Sequence, residues 1–217
     1  MTKVVSIYII ITERRDDMKN KIVIYGGSFN PPLNSHFSIA QQVINDCEEV
    51  EKIVFVPVNQ IYSKKGLIDN EHRIAMLNLV IQKNDSFELS DIDMHSDHSL
   101  YMIEIMNAMH EKYSGRLISF LVGSDNLKDV SHWKNAEELL KNYQILVMER
   151  DNDSVTEIIG KDDILKKYRA NILVLKQDIK SNYSSTYVRE QIKQRKSVKY
   201  LMPDEIYEYV KQNHLYE

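Results

Sequence analysis

Six short runs of apolar, largely β-branched residues, alternating with segments of helical spacing, constrain this chain more than any other feature. The runs are "KIVIY" (21–25), "KIVFVPV" (52–58), "SFELSDI" (86–92), "RLISFLVG" (116–123), "YQILVMER" (143–150) and "NILVLK" (171–176). Several are almost continuously apolar, as strands buried on both faces must be, whereas a half-exposed strand would alternate. Between them, "SHFSIAQQVIND", "NEHRIAMLNLVIQK", "LYMIEIMNAMHEKY" and "AEELLKNY" carry apolar residues at helical spacing. The β-α-β-α alternation with short connections predicts an α/β fold, a single doubly wound parallel sheet of Rossmann-like type. Two more helices, "SSTYVREQIKQR" and "PDEIYEYVKQN", follow the last run, and Pro203 opens the second. The 217 residues, 43% hydrophobic, are enough for one sizeable core. We expect one domain over residues 18–217, with 1–17 an N-terminal extension. The alternative for "VVSIYIII" is an extra edge strand.

Charge and cysteine content narrow the function classes. The net charge of −4 is spread without a basic block, so a nucleic-acid partner is not expected. No apolar run approaches the ~20 residues of a membrane span, and the N-terminal apolar stretch lacks a small-residue cleavage site. Neither a membrane partner nor a signal peptide is expected. A single cysteine, Cys47, excludes an internal disulfide and fits the reducing cytoplasm, the expected location. No flanking cation would lower its pKa, so we read it as a structural thiol.

In doubly wound sheets ligands bind outside the carboxyl ends of the strands. The first strand end reads "KIVIYGGSFNPPLNSHFSIAQQVI", placing two of the chain's six glycines together as Gly26 and Gly27. Glycine permits positive φ and lets a backbone approach a ligand without an intervening Cβ. The helix beginning near Ser35 turns its unpaired N–H groups toward that loop, an arrangement suited to an anion, and His36 falls in its first turn. A tight turn with a structural histidine accounts equally well for the same residues. At a second strand end, "FLVGSDNLKDVSHW", Asp125 after Gly123 suits either a ribose hydroxyl or a helix cap. Trp133, the only tryptophan, suits either packing or stacking on a flat ring. At a third, "NYSSTYVRE", Ser184, Ser185 and Thr186 open a helix and Arg189 lies one turn on. Such a helix start suits phosphate oxygens, although capping alone explains the hydroxyls. Three anion-friendly ends on one face are harder to dismiss than one.

These residues carry a family resemblance. "GGSFNPPLNSH" resembles the GG[ST]F[DN]PPHxGH signature of nucleotidyltransferases, and "SSTYVR" their ISSTxxR motif. "VGSDNLKDVSHW" resembles the G-x-D-x-L…W block of bacterial nicotinate-nucleotide adenylyltransferases. "EHRIAML" and "YLMPDEIYEYVKQNHLY" are similar to further blocks of that branch, so the resemblance runs from about Lys21 to Tyr216. It implies adenylyl transfer from ATP to nicotinate mononucleotide, with Mg2+, giving the deamido dinucleotide and pyrophosphate in NAD biosynthesis. It also implies residue roles. Gly26, Gly27, Ser28, Phe29 and Asn30 would hold phosphates, and His36 would stabilise charge on the transferred α-phosphate. Ser184, Ser185, Thr186 and Arg189 would hold the ATP phosphates, Gly123 and Asp125 the ribose. Trp133 would lie against the nicotinate ring near Tyr101 and Met102, and Lys64 would reach a phosphate. ATP and a pyridine mononucleotide are then the partners, and self-association into a homo-oligomer stays open.

The pattern breaks in three places. Leu33 stands where the signature has its first histidine, and Ser35 where it has glycine. Leucine cannot donate to a phosphate, and losing one charge-stabilising donor costs about 2.7–4 kcal/mol. Restoring a histidine is expected to raise turnover unless Asn34 or a lysine has taken over the contact. "SLYMIEIM" aligns with an SYT-x-DTL stretch, which puts Met102 in place of a threonine near the nicotinate end. These departures leave two alternatives: another phosphorylated acceptor, or a catalytically weak nucleotide-binding homologue. "DMHSDH" (93–98) brings His95, Asp97 and His98 together, but a polar loop explains it better than a metal site.

Overall fold

A computed structural model describes residues 20–61, 66–96, 98–149, 153–175 and 183–217. The proposed extension at 1–17, Lys64 and Asp97 lie outside the described residues.

Six strands form one sheet: β1 Lys21–Gly27, β2 Val50–Pro57, β3 Phe87–Leu89, β4 Leu117–Gly123, β5 Gln144–Met148 and β6 Ile172–Leu175. Their order is β3-β2-β1-β4-β5-β6, and every pair is parallel. The α/β doubly wound reading therefore stands, with the direction of winding reversing between β1 and β4. Helices α1 Asn34–Asp46, α2 Asn70–Ile81, α3 Met102–Lys112, α4 Ser124–Val130 and α5 Ala136–Asn142 follow in chain order. After β5 come α6 Val155–Lys161 and α7 Asp163–Lys167, which were not among the segments read as helical from the sequence. Helices α8 Ser185–Lys193 and α9 Asp204–Gln212 close the chain.

Each sheet face has its own apolar layer. Val23, Phe55, Leu121 and Leu146 pack with α1, α2 and α9 on one face. Ile24, Val54, Phe120 and Ile145 pack with α3, α4 and α5 on the other. Neighbouring strand residues thus point to opposite buried layers, which explains the continuous apolar runs. Cys47 is buried at the end of α1, and burial together with Glu49 pushes its thiol pKa up. An unreactive structural thiol is what that environment gives.

Pairing between strands decides where the sheet opens. β1 stays paired with β2 as far as Gly27↔Pro57, and β4 with β5 as far as Gly123↔Met148. Between β1 and β4 the pairing stops at Tyr25↔Leu121. The two central strands therefore part at their carboxyl ends, and the crevice expected at the winding reversal lies there.

Candidate functional site

Gly26 and Gly27 belong to β1 itself, and neither has positive φ. The positive φ that glycine permits is therefore not used here, and neighbouring side chains crowd both Cβ positions. A Cβ on Gly27 would lie 3.0–3.3 Å from three ring carbons of Phe29. One on Gly26 would meet the Met102 terminal methyl at 3.0 Å and Phe120 at 3.5 Å. The backbone outlier is instead Phe29, with φ 43°, an uncommon position for a residue with a Cβ. Its ring, 2% exposed, is locked edge-on against Tyr25 at 5.5 Å and His36 at 5.2 Å. Strain of this kind persists only where surrounding packing imposes it, and it concentrates in functional loops.

The loop from Ser28 to Leu33 is tied to four distant parts of the chain. The Ser28 carbonyl accepts from Arg73 at 3.2 Å, that of Asn30 from Arg189 at 2.8 Å, and that of Pro31 from the Ser185 hydroxyl at 2.9 Å. The Asn30 amide donates to the Gly66 carbonyl at 2.6 Å and accepts from the Tyr216 hydroxyl at 2.9 Å. Three carbonyl oxygens that would repel an anion are thus engaged by protein donors. The start of α8 lies against this loop. Ser184 caps α8 by accepting from the Tyr187 N–H, Ser185 holds the loop, and Thr186 accepts from Arg189.

His36 sits at the third position of α1, half-buried. The Leu33 backbone N–H donates to its Nδ1 at 2.9 Å. A backbone N–H can only donate, so Nδ1 accepts, and the neutral ring carries its proton on Nε2. The histidine that closes the motif is therefore also a helix cap that fixes its own tautomer. Leu33 is 1% exposed and belongs to the apolar core. The motif's first histidine position is occupied here by a core residue. The Asn34 amide donates to the Tyr200 carbonyl at 3.0 Å.

On the other side of Gly26 the surroundings turn apolar. Met102 touches the Gly26 position, Phe120 lies behind it, and Trp133 packs on Phe120 with ring centroids 5.9 Å apart. Trp133 is half-buried in the turn between α4 and α5, its indole against the layer that contains Phe120. Tyr101 is 51% exposed at the start of α3. Ser124 is fully buried while Asp125 is exposed in the first turn of α4. Gly123 ends β4 and is the N-cap of α4 without a side-chain capping bond. In the "DMHSDH" stretch, His95 pairs with Asp91 at 2.8 Å, and buried Asp93 accepts from the N–H groups of Asn59 and Leu100. Among the described residues, no group of three or more His, Cys, Asp or Glu side chains could hold a metal ion.

Sequence reasoning missed Arg73, Asn59, Asp93 and Tyr216. Arg73 is 0% exposed, and its guanidinium bonds the Ile68 and Ser28 carbonyls and the Asn70 amide oxygen. Burial lowers its pKa to about 10, against the raising influence of Tyr216, Asp93 and Asp69, so it stays charged at neutral pH. A signal existed, since Arg73 stands three and four residues before Met76 and Leu77, on the buried face of α2. Asp93 had only its loop, and Tyr216 only its place at the end of the block "YLMPDEIYEYVKQNHLY".

The parted strands, the cross-tied loop and the capped helix starts meet at one strand-end crevice. The sequence model of the cytidylyltransferase-like family matches residues 24–191. A probable nicotinate-nucleotide adenylyltransferase of Carboxydothermus hydrogenoformans is 30% identical over 198 residues, covering 90% of this chain and 98% of that protein. The nicotinate-nucleotide adenylyltransferase of Bacillus subtilis is 31% identical over 201 residues, covering 91% and 98%. In fold, the chain is similar to the Plasmodium falciparum nicotinic acid mononucleotide adenylyltransferase complexed with NaAD. The TM-score is 0.76 at 20% identity, covering 91% of this chain and 97% of that one. The same protein complexed with APC matches with a TM-score of 0.73, also at 20% identity and with the same coverage. By these matches the chain belongs to the nicotinate-nucleotide adenylyltransferase family.

Proposed function

We infer that this chain transfers the adenylyl group of ATP to nicotinate mononucleotide, forming the deamido dinucleotide and pyrophosphate in NAD biosynthesis. Family membership supports the reaction. The observation that carries it to particular residues is the meeting, at one strand-end crevice, of two unlike halves. The phosphate half joins His36, the Ser28–Asn30 loop and the start of α8; the apolar half joins Met102, Phe120 and Trp133.

In this reading a phosphate oxygen of the mononucleotide attacks the α-phosphorus of ATP. The new P–O bond forms as the bond to the bridging oxygen breaks, and pyrophosphate carries the electron pair away. The protein supplies no nucleophile, so catalysis is positioning and stabilisation of charge. His36, with its proton on Nε2, donates to the α-phosphate. The N–H groups of the Ser28–Asn30 loop and of the starts of α1 and α8 face the remaining phosphate oxygens. Arg189 adds a positive charge beside the loop it holds, with Ser184, Ser185 and Thr186 at the same helix start. Asp125 and the Gly123 backbone take the ribose, and Trp133 and Met102 line the ring pocket with Tyr101 at its mouth. Magnesium enters as part of the substrate, chelated by ATP phosphate oxygens, and neutralises charge on the leaving pyrophosphate. We place the reaction in the cytoplasm, where a lone buried thiol stays reduced. Among the described residues no helix is long and apolar enough to cross a membrane.

The test is to mix the purified chain with ATP, Mg2+ and, separately, nicotinate mononucleotide, nicotinamide mononucleotide and phosphopantetheine, and to measure pyrophosphate. Release with nicotinate mononucleotide at least tenfold faster than with the others is expected. Preference for phosphopantetheine, or ATP binding with no pyrophosphate from any acceptor, overturns the reading. The last result would make buried Leu33 the mark of a binding protein.

A further inference from the structure

Most of the loop's ties to distant residues converge on one residue. Asn30 is 2% exposed, its carbonyl accepts from Arg189, its amide donates to the Gly66 carbonyl, and its side-chain oxygen accepts from the Tyr216 hydroxyl at 2.9 Å and, at 3.4 Å, from the Ile68 N–H. Tyr216 reaches Asn30 from beyond α9, a sequence separation of 186 residues. Two features show that its place is imposed. Its backbone lies in the left-handed region at φ 68°, as does that of His214 at 51°, a position that costs a residue with a Cβ some strain. Leu215 between them is buried in the core and its N–H bonds the Val210 carbonyl, which anchors the turn. The Tyr216 ring packs against the same apolar layer as Leu33 and Phe29. Its hydroxyl sits among charges of one sign: the guanidiniums of Arg189 and Arg73 both act on it, while burial keeps the phenol protonated well above its ordinary range. A protonated phenol donates, and Asn30 is the acceptor.

We propose that Tyr216 is a positioning residue for adenylyl transfer: its hydroxyl orients the Asn30 amide and so holds the loop's carbonyls turned into the protein. The proposal rests on the functional reading above. A carboxamide can present either its oxygen or its NH2 to a neighbour. At Asn30 the NH2 must face Gly66 for the loop to stay down, and Tyr216 offers the donor that makes the opposite orientation unfavourable. With that donor absent, only the longer contact from the Ile68 N–H, at 3.4 Å, still favours this orientation, so the Gly66 tie loosens and the Arg189 contact is less firmly fixed. Phosphate then meets a loop whose dipoles are no longer organised before it arrives. Loss of prior organisation weakens ATP binding and charge stabilisation together, and leaves the ring pocket around Trp133 untouched.

Tyr216→Phe tests this, because it keeps the ring in the core and removes only the hydroxyl. Wild type and variant are compared, as full chains, in melting temperature, in steady-state kinetics with each substrate varied, and in equilibrium binding of Mg2+-ATP by calorimetry. The expected result is a melting temperature within about 3 °C of wild type, an ATP KM or Kd raised about five- to twentyfold, and a KM for the mononucleotide changed less than twofold. Asn30→Ala should weaken ATP binding by a similar factor, and adding Tyr216→Phe to it should have little further effect. Equal loss for both substrates, or a double variant whose effects multiply, would overturn the proposal and make Tyr216 an ordinary core residue. So would an unchanged ATP affinity. If the wild type released no pyrophosphate, the functional reading would fall, and the calorimetric arm would still decide whether Tyr216 organises the loop. Wild type that bound no ATP would overturn both.

Discussion

The two halves of the crevice are held by opposite means, although they meet at adjacent residues of one strand. On the Gly27 side, a loop of unusual backbone conformation is fixed by hydrogen bonds from α2, α8 and Tyr216, and the donors come from Arg73, Arg189, Ser185 and the Tyr216 phenol. On the Gly26 side, Met102, Phe120 and Trp133 are held by apolar packing. Hydrogen bonds fix direction, as a phosphate cradle requires, since its dipoles must be aimed before the anion arrives. Packing fixes volume but tolerates adjustment, especially by a methionine, as a pocket for a flat ring can. Substitutions on the two sides should therefore fail differently.

The largest effect is expected at His36. His36→Ala should lower kcat by about 100–1000-fold, as loss of one charge-stabilising donor does. The structure adds a second consequence, because Nδ1 also accepts the Leu33 N–H. Losing that acceptor should destabilise the chain by about 1–3 kcal/mol if the N–H finds no other partner. His36→Asn, whose side-chain oxygen can cap, should recover most of the melting temperature and little of the turnover. Parallel recovery of both would show that His36 is a cap and nothing more.

The glycine pair gives the sharpest comparison. Gly27→Ala presses a methyl onto a buried aromatic ring and should cost about 1–3 kcal/mol, with ATP binding weakened as Phe29 shifts. Gly26→Ala meets mainly the movable end of Met102 and should cost less than about 1 kcal/mol, raising the KM of the mononucleotide more than that of ATP. Thermal melts and a KM comparison check both, and equal effects at the two positions would erase the distinction between the halves.

Arg189→Ala should weaken ATP binding by about 1.5–3 kcal/mol, the size of a charge-assisted hydrogen bond, with a smaller loss of stability. Calorimetry and a melt separate the two. Leu33→His should now be read through the core: an imidazole replacing a side chain only 1% exposed is expected to lower the melting temperature, and to raise turnover only if the ring turns out of the core. The smallest effect is spectroscopic. Saturating mononucleotide should shift Trp133 fluorescence by a modest amount, because the indole already lies against Phe120 and a ligand covers only its remaining exposed part. No response in a protein that binds the ligand would assign Trp133 to packing alone. Deleting residues 1–17 should leave ATP affinity unchanged, and a large fall in melting temperature would make "VVSIYIII" a structural strand.

The sequence by itself determined the fold class, the positions of the strands and the family resemblance, because those depend on local patterns: the length of an apolar run, helical spacing, and motifs read in order. The runs at 52–58 and 116–123 became β2 and β4 within two residues at either end. Tertiary structure alone decided what Gly26 and Gly27 are for. Their neighbours Met102, Phe120 and Phe29 are brought there by packing, and no local pattern distinguishes a glycine that frees φ from one that leaves room for a ring. It also decided that Leu33 is a core residue and that His36 is a donor with a fixed tautomer. Arg73 and Tyr216 lie 45 and 186 residues from the loop atoms they hold. A hydrogen bond specifies donor, acceptor and direction in space, and sequence separation carries none of the three.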